Sequence, residues 1–149
     1  SEIPFTEKEL KTISPLFNSS KLLLGKEANE ENIKSLDLKK YEIISFATHA
    51  EVAGEFDGFN EPFLVMTPPN SGTENNDGLI TSSEISEFDL NTKLIILSAC
   101  NTASKENKYA EGFTGLINSF FIAGADSIIA THWPVEDEAG YLLMTETLV

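Results

Sequence analysis

Three side chains in this sequence stand out for the chemistry they could do: Cys100, the single cysteine, and the two histidines, His49 and His132. Cys100 lies in LIILSACNTA, Leu94 to Ala103, where a run of apolar residues stops. A thiol becomes a strong nucleophile as its thiolate, and a nearby imidazole supplies that state by pairing with it or by taking its proton during attack. The same imidazole then returns a proton to the leaving amine. His49 precedes Cys100 by about 50 residues, and each follows a small residue at the end of an apolar run. Taken singly, a lone cysteine at a strand end packs more often than it reacts, and a lone histidine is usually a satisfied polar residue. Only the joint pattern raises the odds of chemistry.

That pattern depends on the elements that would carry it. YEIISFATH, TKLIILSAC and DSIIATHW are near-continuous apolar runs of strand length, the mark of strands covered on both faces in a mostly parallel sheet. In such sheets functional groups gather at the carboxyl ends of the strands. There the three runs end in Thr48 and His49, Ser98 and Cys100, and Thr131 and His132. Parallel neighbours would bring His49 and Cys100 to one rim. GFTGLINSFFIAGA, between the last two runs, spaces Phe113, Leu116, Ile117, Phe120 and Phe121 helically, with Gly124 where a C-terminal cap belongs. The result is a βαβ unit, expected to be right-handed. EPFLVMTPP and DGLITSSEI read as a hairpin bridged by NSGTENN. Upstream, Thr6 and Glu9 form a capping-box signature for a helix to about Phe17, which Pro15 should end or kink. SKLLLGKEA is a strand candidate, and Asn29 caps a helix over EENIKSL.

Composition removes several classes of function. The 149 residues, 41% of them hydrophobic, are about one domain long, and we read residues 1–149 as a single domain. The formal charge of −14 comes from 24 acidic against 10 basic residues, all of them lysine, so a nucleic-acid backbone is excluded as partner. One cysteine allows no intrachain disulfide, and two histidines leave a zinc site almost without ligands, so no metal or cofactor is expected. No run approaches the ~18 apolar residues of a membrane span, and SEIPFTEKEL has no leader pattern. The chain reads as cytoplasmic. EDEAGYLLMTETLV is a helical pattern with no closing turn, which predicts a piece of a longer polypeptide.

The order of histidine then cysteine about 50 residues later occurs in caspases, although such local signatures do not transfer between families. Spacing alone leaves packing and peptidase chemistry both open. The blocks FATH, DGLIT, LSACNTA and ATHWPVEDEA, in that order, resemble the CHAT domain, a caspase-like and separase-like module often attached to tetratricopeptide repeats in bacterial proteins. The resemblance covers most of the chain. It implies a caspase-like three-layer α/β sandwich around a mostly parallel sheet, cut short before Ser1 and after Val149. It also implies a cysteine endopeptidase that cleaves proteins through His49 and Cys100, gated by a helical-repeat region of the same polypeptide. The family commonly has glycine after the histidine, where a backbone N–H helps bind the oxyanion, and here Ala50 stands there. Alanine keeps that donor unless positive φ is required. The N–H of Cys100 would be the second donor, each worth roughly 3–4 kcal/mol.

His132 and Glu136 offer a rival set, in the cysteine–histidine–glutamate order of glutamine amidotransferases. Their Gly-x-Cys-x-Gly elbow is missing and their spacing differs, so we read His132 as non-catalytic. For substrate choice, caspases select aspartate with arginines, and this chain has none. WPVED resembles the separase block that holds a basic side chain, which nominates Asp137 as substrate-binding, although capping the following helix is the stronger reading for an aspartate there and one residue can do both. NTASKENKYAEG, Asn101 to Gly112, reads as a long loop beside the groove, and Asp57 and Asn60 follow His49 closely enough to reach the site. The competing class is a peptidase-like domain without turnover that serves as a protein-interaction or regulatory module.

Overall fold

The computed structural model describes residues 4–52, 60–70, 72–73, 76–99, 106–130, 142 and 145–146. Its spine is a three-stranded parallel sheet of β1 (Ile43–Thr48), β5 (Leu94–Ala99) and β6 (Ile128–Ala130), with β5 central. These are the three apolar runs read as strands, and all pair in parallel. The register runs from Ile43 opposite Leu94 to Thr48 opposite Ala99. Ile95, Ile96 and Leu97 of β5 are all at most 1% exposed, as a strand covered on both faces requires.

Alternation along β5 assigns the two covering layers. Ile95 and Leu97 join Phe46 of β1 in a core with Phe113, Leu116 and Phe120 of the helix α4 (Glu106–Ala123). Ser98 points the opposite way and donates to the carboxylate of Glu9 on the helix α1 (Pro4–Ile13). The sheet therefore lies between α1 and α4, a mixed α/β layered architecture of the caspase-like kind expected. α4 ends as anticipated at Gly124, where φ is +110°. Gly124 N–H donates to Phe121 O and Ala125 N–H to Phe120 O, the paired bonds of a Schellman cap. Of the five apolar positions whose spacing marks the buried face, Phe121 is the exception, 46% exposed.

A second, antiparallel sheet joins β2 (Ala50–Glu51), β3 (Phe63–Val65) and β4 (Leu79–Thr81). The expected hairpin is β3–β4. Ala50 and Glu51 add a strand with no sequence signal of its own. After β4 the chain enters α3 (Ser82–Ser86) through a full capping box, Thr81 with Glu84. Asn29 caps α2 (Glu30–Lys34) by accepting from Asn32 N–H at 2.8 Å, again as expected.

Three expectations need correction. SKLLLGKEA is no strand: residues 20–24 join no ladder and Gly25–Glu27 is a 3-10 turn, because Gly25 adopts φ +51° and turns the chain away. The loop expected over residues 101–112 is helical from Glu106 onward, so α4 starts well before Gly112. The first helix begins at Pro4, not at Thr6; its end at Ile13, before the 3-10 turn Ser14–Leu16 that holds Pro15, is the stop expected of that proline. Of the last helical pattern, Leu142, Thr145 and Glu146 are helical and the rest lies outside the described residues. Among the described residues no helix is long and apolar enough to cross a membrane.

Candidate functional site

The residues immediately after β1 and β5 are His49 and Cys100. The two strands are parallel neighbours and remain in register up to Thr48 opposite Ala99. His49 is half-buried and lies between β1 and β2, so it links the parallel sheet to the antiparallel one. Its carbonyl accepts Val65 N–H at 2.9 Å, and the Thr48 hydroxyl donates to Val65 O. The Val65 peptide of β3 is thus bonded on both sides to the turn that carries the imidazole. At this turn a single residue separates the two sheets along the chain.

Ala50 follows in β2, 2% exposed and opposite Leu64. The bond from Val65 N–H to His49 O, with that register, makes Ala50 a non-hydrogen-bonded ladder position, so its N–H is directed away from β3. No non-glycine residue among those described has positive φ, so alanine fits here without the strain that would have demanded glycine. Asn60 is exposed, just ahead of β3. Cys100, Asp57, Thr131, His132, Glu136 and Asp137 lie outside the described residues.

Two acids beside these elements are buried with no sequence signal for burial; Glu9 is expected only as half of a capping box, and Glu30 carries no expectation beyond the helix it starts. Glu9, 3% exposed, accepts from the Ser98 hydroxyl at 3.1 Å and pins α1 to the end of β5 that leads to Cys100. Glu30, 0% exposed, accepts from Asp77 N–H at 3.0 Å and Gly78 N–H at 3.2 Å, and from the Lys34 ammonium at 2.5 Å. Lys34 also donates to Glu84 at 2.7 Å. Burial works against the Lys34 ammonium, but its bonds to Glu30 and Glu84 outweigh that and hold its pKa above the ordinary lysine value. Glu84 is the mirror case. Burial pushes its carboxyl up, while Lys34 and the Thr81 N–H and hydroxyl bring it below the usual carboxylate range.

A cavity of about 640 Å³ runs along the outer edge of β1, lined by Leu10, Ile13, Phe17, Leu23, Ile44 and Met66 among others. Its lining is mostly apolar, and His49 is not among the described residues that line it. Among the described residues no group of three His, Cys, Asp or Glu side chains could hold a metal ion.

Comparison with known proteins bears on the whole chain. It is 24% identical over 160 residues to Tetratricopeptide repeat protein 28 of Homo sapiens, an alignment covering 89% of this chain and 6% of that protein. The chain therefore spans a small part of that relative's length. No solved structure matches. The CHAT domain family matches residues 1–148. With a parallel sheet whose strands lead into FATHA and LSACNTA, and with that match over nearly every residue, the chain belongs to the CHAT domain family, a caspase-like peptidase family.

Proposed function

We propose that this domain is a cysteine endopeptidase of the caspase and separase type, with His49 and Cys100 as its dyad. The observation that carries the reading is the in-register parallel pairing of β1 and β5, which end at Thr48 and Ala99, one residue short of the imidazole and the thiol. The Cys100 thiol gives its proton to His49 as its sulfur bonds to the scissile carbonyl carbon, and the carbonyl oxygen takes up the negative charge. Collapse of that adduct breaks the C–N bond, and His49 delivers its proton to the departing amine. Water then attacks the thioester, giving a proton to His49 and releasing the acid and the free thiol. The N–H groups of Ala50 and Cys100 hold the oxyanion. The ladder position of Ala50, with its N–H turned away from β3, supports that role.

For the substrate we propose a polypeptide cut after a basic residue. The absence of arginine argues against a caspase-like pocket for aspartate, and the net charge of −14 favours approach of basic segments. Asp137 would hold the basic side chain. A helical-repeat region in the same polypeptide would gate access, in keeping with the name of the human relative.

The deciding test is the alkylation rate of Cys100 by iodoacetamide from pH 4 to 9, in this chain, in His49→Ala and in His132→Ala. A thiol that titrates well below ~8.5, and loses that behaviour only with His49, is the expected result. A thiol that is unreactive, or indifferent to His49, would move the domain to a protein-interaction role without turnover.

A further inference from the structure

Through its hydrogen bonds Glu30 leads back to His49. Its Oε2 takes two consecutive backbone donors, Asp77 N–H and Gly78 N–H, at the entry to β4. Gly78 O in turn accepts Met66 N–H at 2.7 Å. Val65, the neighbour of Met66, donates to His49 O at 2.9 Å and accepts from the Thr48 hydroxyl. From one buried carboxylate to the carbonyl of His49 there are therefore three hydrogen bonds, linked by the Gly78 and Val65–Met66 backbone.

The same segment is held from a second direction. Thr67 N–H donates to Ala28 O at 2.9 Å, and the Thr67 hydroxyl donates to Gly25 O at 2.7 Å. The turn before α2 thus grips the chain just after β3, while Glu30 at the start of α2 grips the chain just before β4. Lys34 locks the other oxygen of Glu30 and ties it to Glu84 at the start of α3. A fully buried carboxylate is seldom retained unless its bonds are satisfied, and here both oxygens have donors.

We infer that Glu30 is a positioning residue for His49, acting through the β3–β4 hairpin to fix the backbone that carries the imidazole. The inference rests on His49 having the role proposed above, but its test reads His49 directly. Glu30→Ala removes the acceptor for both amides. Glu30→Gln keeps one oxygen that can receive them and is the conservative rescue.

The experiment is histidine NMR on the 149-residue chain, with the two histidine resonances distinguished by His132→Asn, alongside the Cys100 alkylation profile. In Glu30→Ala the His49 ring resonances should move, because the backbone that carries the imidazole is no longer held. Alkylation near neutral pH should slow about tenfold, as misplacement of a base does. Glu30→Gln should recover most of both. A folded Glu30→Ala that loses thermal stability but keeps the wild-type His49 resonances and the wild-type alkylation profile overturns the inference, since Glu30 then serves stability alone. If Glu30→Ala does not fold, amide exchange in the wild-type chain decides. Val65, Met66 and Gly78 opening as one unit supports the linkage, and Val65 opening separately refutes it. If alkylation ignores His49 in the wild-type chain, the peptidase reading fails while the NMR arm still stands.

Discussion

Gly78 is the most exacting test of the hairpin geometry on which the proposed site depends. It sits at φ +90°, and a Cβ added to it would lie 2.8 Å from Pro68 Cα, 3.1 Å from Pro68 Cβ and 3.3 Å from Pro68 N. Those atoms belong to backbone and a proline ring, so none can rotate away. Gly25 is the natural control, with φ +51° and nothing within 4 Å of the place an added methyl would take. For either alanine the left-handed backbone costs about 1–2 kcal/mol. Reduced freedom of the unfolded chain offsets about 0.4–1 kcal/mol of that. Gly25→Ala should therefore lose about 1 kcal/mol. Gly78→Ala must also open a contact well inside the ~3.5–4.0 Å carbon optimum, an overpacking cost of about 1–3 kcal/mol. Its total is about 2–4 kcal/mol. Urea unfolding followed by circular dichroism reads both, provided the slope m stays constant. At this chain length each kcal/mol is about 2–4 °C in Tm, so the two variants should be resolved. If Gly78→Ala were no worse than Gly25→Ala, the close approach of β4 to Pro68 would be wrong, and the path from Glu30 to His49 would fall with it.

Phe120→Ala should cost about 3–5 kcal/mol in the same urea assay, because Phe120 is fully buried and its ring centroid lies 5.6 Å from that of Phe46; a loss under about 1 kcal/mol would mean α4 does not pack on β1. The Glu84 network gives a pH prediction. A carboxyl held below its usual range stabilises the fold fully above the unfolded value of ~4.3 and loses that contribution as pH falls through its folded pKa. Lys34, held above its usual range, contributes fully below ~10.4 and loses its contribution as pH rises past its folded pKa. Glu84→Gln should therefore lower Tm at pH 7, with the gap to wild type closing below about pH 4; a gap unchanged from pH 7 to pH 3 refutes the assignment.

What could be read from the sequence was local. The three strand runs, the Asn29 cap and the Gly124 stop each depend on residues a few positions apart, and each stands where pattern placed it. SKLLLGKEA misled because an apolar triplet has strand character without saying whether a partner edge is available. The polar stretch before Gly112 read as loop because composition was weighed as solvent exposure, whereas Glu, Lys and Ala also favour helix. Glu30 could not have been singled out. Charged residues are almost never fully buried, and the amides that justify its burial lie at Asp77 and Gly78, more than 40 residues downstream. β2 was equally invisible, since a two-residue strand leaves no periodicity to detect.

The division of labour between the two sheets explains why the parallel pairing alone would not make a site. Register brings the ends of β1 and β5 together, but a strand end is free to leave the sheet in many directions. The chain is turned at His49 because Ala50 and Glu51 are taken up by β3, which also bonds His49 O and receives the Thr48 hydroxyl. β3 has only three residues and pairs with strands of two and three, too little ladder to hold its place unaided. Buried Leu64 and Ile80 anchor it to the core, while Glu30, Lys34 and the Thr67 bonds anchor its ends. In the proposed site, then, the parallel strands would supply proximity, and the small antiparallel sheet with its buried carboxylate would supply direction. Mutations that loosen the hairpin should blunt the thiol's reactivity before they unfold the parallel core.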